Sequence, residues 1–160
     1  MRQRLVVVAA STVEVVRVAG GWLFDRAMAG WDVTVLTADH TDARPLTILG
    51  ARAGDLESAL ASPVAAPRPH TIAVHADIHA SDARVRRMVR HALEEGRADV
   101  WLWDDRGVTN LRQGVNSTRP PLSLAARAFK AQALAAVATG STPTTELPGR
   151  DEPPRPSRSA

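Results

Sequence analysis

The stretch "LVVVAASTVE", Leu5 to Glu14, limits the fold more than any other part of the chain. An unbroken apolar run is what a strand needs when helices cover both of its faces, as in a parallel sheet. "STVE" follows at once with the spacing of a capping box. Ser11 can accept from the backbone N–H three residues on, and Glu14 can reach back to the N–H of Ser11. The pattern predicts a helix to about Ala29, with Val15, Val18, Trp22, Leu23 and Ala27 at the spacing of one face. Gly20 and Gly21 fall inside it at about 1 kcal/mol each relative to Ala. The expected return is close approach of the helix to the sheet. Gly30 closes the helix.

The same alternation continues. Trp31 to Asp39 reads as a second strand. Asp42 caps a short helix, with Pro45 in its first turn and Gly50 after it. "ARAGDL" is a weak third strand, followed by a proline-rich connection from Ser62 to Pro69. "TIAVHADI", Thr71 to Ile78, is a fourth strand. Ser81 or Asp82 caps a helix to about Glu95, with Val85, Met88, Val89 and Leu93 inward and Gly96 beyond. "DVWLWDD", Asp99 to Asp105, is a fifth strand. A loop runs from Arg106 to Pro121, and an Ala-rich helix capped by Ser123 follows.

The expected architecture is a small, doubly wound, Rossmann-like α/β domain over residues 1–138. It has about five mostly parallel strands, with helices on both faces. Residues 139–160, rich in Pro, Ser, Thr and Arg, read as a disordered tail.

Composition removes several function classes. The chain has no cysteine, which excludes disulfides, thiolate metal sites and a cysteine nucleophile. Of 20 basic residues only Lys130 is lysine, and the net charge is +3, so nucleic acid is not an expected partner. No apolar stretch approaches a membrane span. The opening "MRQRLVVVAAS" is too short for a secretory signal, and Glu14 follows it, so a cytoplasmic location is expected. P-loop, G-x-G-x-x-G and G-x-S-x-G patterns are all absent. No cofactor is assigned.

In doubly wound sheets, ligands sit beyond the carboxyl ends of the strands. That rule collects Ser11, Thr12 and Glu14 after the first strand, and Asp39 and His40 after the second. It adds Asp77, His79 and Ser81 after the fourth, and Asp104, Asp105 and Arg106 after the fifth. In "VHADIHASDARVRR", alternation on a strand would put His75, Asp77 and His79 on one face. No metal is assigned, but these three are the residues that would hold one. The helix after them carries Arg84, Arg86 and Arg87 at its start and Glu94 and Glu95 at its end. That is the reverse of what the helix dipole favours. An anion at Ser81, Arg84 and Arg87 would resolve the inversion. The bland alternative is a solvated face with Arg90–Glu94 and His91–Glu95 pairs. Trp101 and Trp103 share one face of the fifth strand, where core packing is the expected role.

The segment "LVVVAASTVEVVRVAGG…AGWDVTVLTAD" resembles the opening strand–helix–strand of the LmbE-type, zinc-dependent N-acetylglucosaminide deacetylases. That family carries A-H-P-D-D-E after the first strand. Aligned on the glycine pair, this chain has Ser11, Thr12, Val13, Glu14 and Val15 where the family has His-Pro-Asp-Asp-Glu. The resemblance implies a shared style of fold without the zinc-binding His and Asp, and so without that activity.

The sequence therefore predicts a binder of an anionic small molecule bearing phosphate or carboxylate. Ser11, Thr12, Ser81, Arg84 and Arg87 would be the contacts, and Asp77 or Asp104 the candidate catalytic base. A non-catalytic interaction module, with a protein partner or a second copy, is the alternative, and a metal-dependent hydrolase the third. On the first reading, Arg84→Ala combined with Arg87→Ala abolishes stabilisation by anions in a thermal-shift assay.

Overall fold

A computed structural model describes residues 2–39, 42–61, 68–112, 115–117 and 122–140. Its centre is one sheet of seven strands among these residues, in the order β3-β2-β1-β4-β5-β6-β7. Five are the expected parallel strands: β1 (Arg4–Ala9), β2 (Asp32–Thr37), β3 (Arg52–Asp55), β4 (Thr71–His75) and β5 (Asp99–Asp104). β1 lies in the middle, with Val7 opposite Val35 on one side and Ala73 on the other. From β1 the chain builds outward through β2 and β3, then returns to β1 and builds the other way through β4 and β5. The strand order therefore reverses between β1 and β4.

The helices divide between the faces as the doubly wound expectation requires. On one face, Leu5, Val7, Ala9, Val33, Val35 and Ala73 pack under the turn Val15–Ala19 that follows α1 (Thr12–Glu14), and under α2 (Gly20–Met28), α3 (Arg44–Ile48) and α7 (Leu124–Gly140). On the other, Val8, Ile72, Val74 and Val100 meet α4 (Leu56–Ala61), α5 (Ala76–Ser81) and α6 (Ala83–Glu95). α3 is far too short to hold itself together in water. Leu46 within it and Leu49 just after it are fully buried, each contributing about 1.5–3 kcal/mol. No helix among the described residues is long and apolar enough to cross a membrane.

Several expectations change. The loop predicted from Arg106 to Pro121 holds two antiparallel strands, β6 (Gly107–Asn110) and β7 (Val115–Ser117). Asp104 makes the first turn, its Oδ1 accepting from the N–H groups of Arg106 at 2.7 Å and Gly107 at 3.1 Å. β4 stops at His75, so Ala76 to Ser81 is a helix and not the end of a strand. α4 is also unexpected: its apolar face is only Leu56 and Leu60, and Asp55 caps it. Between α1 and α2 the helix widens to a π-helical turn over Val15–Ala19. The last helix reaches Gly140, and the predicted tail beyond it lies outside the described residues, as does most of the proline-rich connection.

The glycine pair serves a different neighbour from the one expected. A Cβ on Gly21 would collide with the Leu122 side chain, and one on Gly20 would lie 3.4 Å from Leu49. The close approach is to α7 and α3, not to the sheet. Phe24 stacks on Phe129 at 4.4 Å, and Ser123 donates to Asp25 at 2.7 Å, fixing α7 against α2.

Gly50 has φ +79, and a Cβ there would stand 2.9 Å from that of Ala27. Gly50→Ala therefore lowers stability by about 1–2 kcal/mol, read as a lower urea midpoint at unchanged slope.

Candidate functional site

The point where the strand order reverses is where this fold opens a crevice. β1 delivers Ser11, Thr12 and Glu14 to it, and β4 delivers His75. Ser11 Oγ accepts from the backbone N–H of Glu14 at 3.4 Å, which is half of the capping box. Glu14 does something else with its carboxylate: Oε1 lies 3.0 Å from His75 Nε2. His75 is 2% exposed and is the N-cap of α5, its Nδ1 accepting from the N–H of Asp77 at 3.2 Å. With Nδ1 acting as acceptor, the neutral ring carries its proton on Nε2 and donates it to Glu14. The edge of Trp103 closes the pocket around the ring at 4.5 Å.

Glu14, His75 and Asp77 are the one group of three potential metal ligands among the described residues, with donor atoms within 4.8 Å of one another. The group keeps two of the predicted set and replaces His79 with Glu14. Alternation along a strand does not extend past His75, so His79 sits within α5, half-buried.

The group does not fit a zinc ion as arranged. Glu14 stands at Nε2, whereas the Asp77 carboxylate stands 4.0 Å from Nδ1, so the two acids flank opposite nitrogens. Ligation through Nε2 would put the ring proton on Nδ1, facing the N–H of Asp77 donor to donor. The chemistry this arrangement supports is different. It is a carboxylate held in one orientation by a buried imidazole, with the Glu14 side chain 22% exposed and within reach of a ligand.

The other rim residues are largely engaged. Thr12 is buried and lines a second hollow of about 240 Å³ with Thr37, Asp42 and Asp55. Thr37 Oγ1 donates to the carbonyl of Asp39 at 2.8 Å. Asp104 holds the β5–β6 turn, and Asp105 pairs with Arg17 at 3.3 Å. His40 lies outside the described residues.

Two of the three arginines at the start of α6, Arg84 and Arg86, find protein partners. Asp82, not Ser81, caps α6, accepting from the N–H of Arg84 at 2.8 Å, and Ser81 is the exposed last residue of α5. Arg84 forks onto Glu57 at 2.7 and 2.8 Å and also reaches Asp82 at 3.0 Å. Arg86 turns back and donates to the carbonyls of His79 and Ala80, where a cation suits the end of α5. Arg87 is exposed at the surface. His91 and Glu95 pair at 3.4 Å, one of the two pairs that the solvated-face alternative named.

The hydrogen bonds from Arg84 hold the carboxyls of Glu57 and Asp82 below their ordinary values. A lowered folded-state pKa means stability that is present above the ordinary carboxylate range and lost as pH falls through the lowered values. The melting-temperature gap between wild type and Arg84→Gln is therefore full at pH 7. It closes as pH falls below about 4, and added salt narrows it at neutral pH.

No protein-family model matches the chain, and no curated protein matches it. Solved structures of similar fold do exist. A deacetylase of the teicoplanin biosynthesis pathway is 16% identical, over 83% of each chain, with a TM-score of 0.53. The A40926 pseudoaglycone deacetylase is 17% identical, over 87% of this chain and 83% of its own, with a TM-score of 0.54. A triple mutant of a teicoplanin-pathway deacetylase gives 16% and 0.51. At these identities the likeness establishes that this chain shares their fold.

Proposed function

We propose that this chain binds a polar small molecule beyond the carboxyl ends of β1 and β4, with Glu14 as the acceptor that orients it. The observation that carries this reading is the 3.0 Å bond from buried His75 to the partly exposed Glu14 carboxylate. An acceptor held in this way suits hydroxyl or amide N–H donors on a ligand. Asp77, with its side chain 85% exposed, offers a second acceptor. The likeness in fold to deacetylases supports a hydrolase reading of the same rim. In that reading Glu14 takes a proton from water attacking an acyl carbon. An anionic group on the ligand would find Ser81 and Arg87, because Arg84 is already neutralised by Glu57 and Asp82.

A thermal-shift panel of neutral saccharides, sugar phosphates, N-acyl sugars, zinc and manganese tests the reading. A ligand at a hundred times its Kd adds about 2.7 kcal/mol, or roughly 5–10 °C for a chain of this size. Glu14→Gln keeps an acceptor for His75, so its own melting temperature moves by less than about 2 °C. The concentration needed for the same ligand-induced shift rises at least about tenfold. A shift that survives Glu14→Gln unchanged overturns the proposal. A response to zinc alone, lost in Asp77→Ala, replaces it with a metal-dependent hydrolase. No response to any compound, with a protein that co-purifies, replaces it with an interaction module.

A further inference from the structure

All four tryptophans of the chain line one cavity of about 370 Å³ on the α2 and α7 face of the sheet. Trp22 and Trp31 stand on the helix side, and Trp101 and Trp103 on β5. The cavity reaches Thr71 and Asp99, the first residues of β4 and β5, so it extends toward the strand ends opposite Glu14 and His75. Its volume is that of a small-molecule pocket, and its lining is mostly apolar.

Thr71, Asp99, Lys130 and Arg26 interrupt that lining, and of the two cations Lys130 is already engaged within the protein. The Arg26 guanidinium lies over Trp22 at 5.5 Å and over Trp31 at 4.9 Å. No carboxylate among the described residues pairs with it. A guanidinium stacked by its face keeps its edge available to fork onto a carboxylate. Trp103 is 4% exposed and walls the cavity with its ring, while its Nε1–H is buried and has no acceptor among the described residues. Indole walls reward a flat aromatic guest by about 0.5–1.5 kcal/mol per ring pair beyond its buried area.

We infer that this cavity is a second binding site, for a flat aromatic molecule that carries one anionic group, with Arg26 as the charge partner.

Isothermal titration calorimetry with 2-naphthoate, neutral 2-naphthamide and 2-naphthylmethylammonium tests this on the full chain. Naphthoate should bind at least about tenfold more tightly than naphthamide, a difference of about 1.4 kcal/mol, and the cation should give no heat. Arg26→Gln should bring naphthoate down to the level of naphthamide, while Arg26→Lys retains part of the preference. Thermal melts of both variants confirm that each is folded. Naphthoate binding should persist in Glu14→Gln, and its loss there would move the ligand to the rim and overturn the inference. Equal affinity for naphthoate and naphthamide in the wild type, or no saturable heat from either, overturns it as well.

Discussion

Everything in this molecule is arranged around the burial of β1. Leu5, Val7, Val8 and Ala9 are each at most 1% exposed, and together they point to both faces. A strand buried in that way needs a parallel neighbour on each side and helices above and below. With β2 on one side and β4 on the other, the connections must run outward in two directions. A crevice at the end of β1 follows from that topology alone. The residues after β1 and β4 are brought together whatever their chemistry, and here they are Glu14 and His75.

The main architecture was legible because its signals are local and strong. The four apolar runs of β1, β2, β4 and β5, the caps at Ser11, Asp82 and Ser123, and the closing glycines Gly30, Gly50 and Gly96 all agree with one another, and only β3 rests on a weak pattern. What was hidden depends on partners distant in sequence. β6 and β7 are strands of four and three residues at the edge of the sheet, too short for a pattern to mark them, although the Asp104 turn before Gly107 is a hairpin signal. Gly20 and Gly21 answer to Leu49 and Leu122, which no local pattern identifies.

At the candidate site, the capping box assigned Glu14 to a backbone N–H. The fold turns its carboxylate toward a histidine from another strand instead, so the residue that matters most was read as a cap. His75 is legible, but within an expected strand three residues too long. The arginines of α6 suggested a missing anion. Arg84 meets the Glu57 and Asp82 carboxylates and Arg86 the carbonyls ending α5, while Arg87 stays at the surface. The charge of Arg84 and Arg86 is compensated within the fold, and the buried imidazole–carboxylate pair lies instead at the junction of β1 and β4.

Trp103 belongs to two places at once: it walls the apolar cavity, and its edge rests on His75. The chain has four tryptophans and no tyrosine, and every tryptophan borders the same space. Its ultraviolet emission therefore arises almost wholly from one region. That light is an intrinsic gauge of whatever enters the cavity, and through Trp103 it also senses the state of the imidazole beside Glu14.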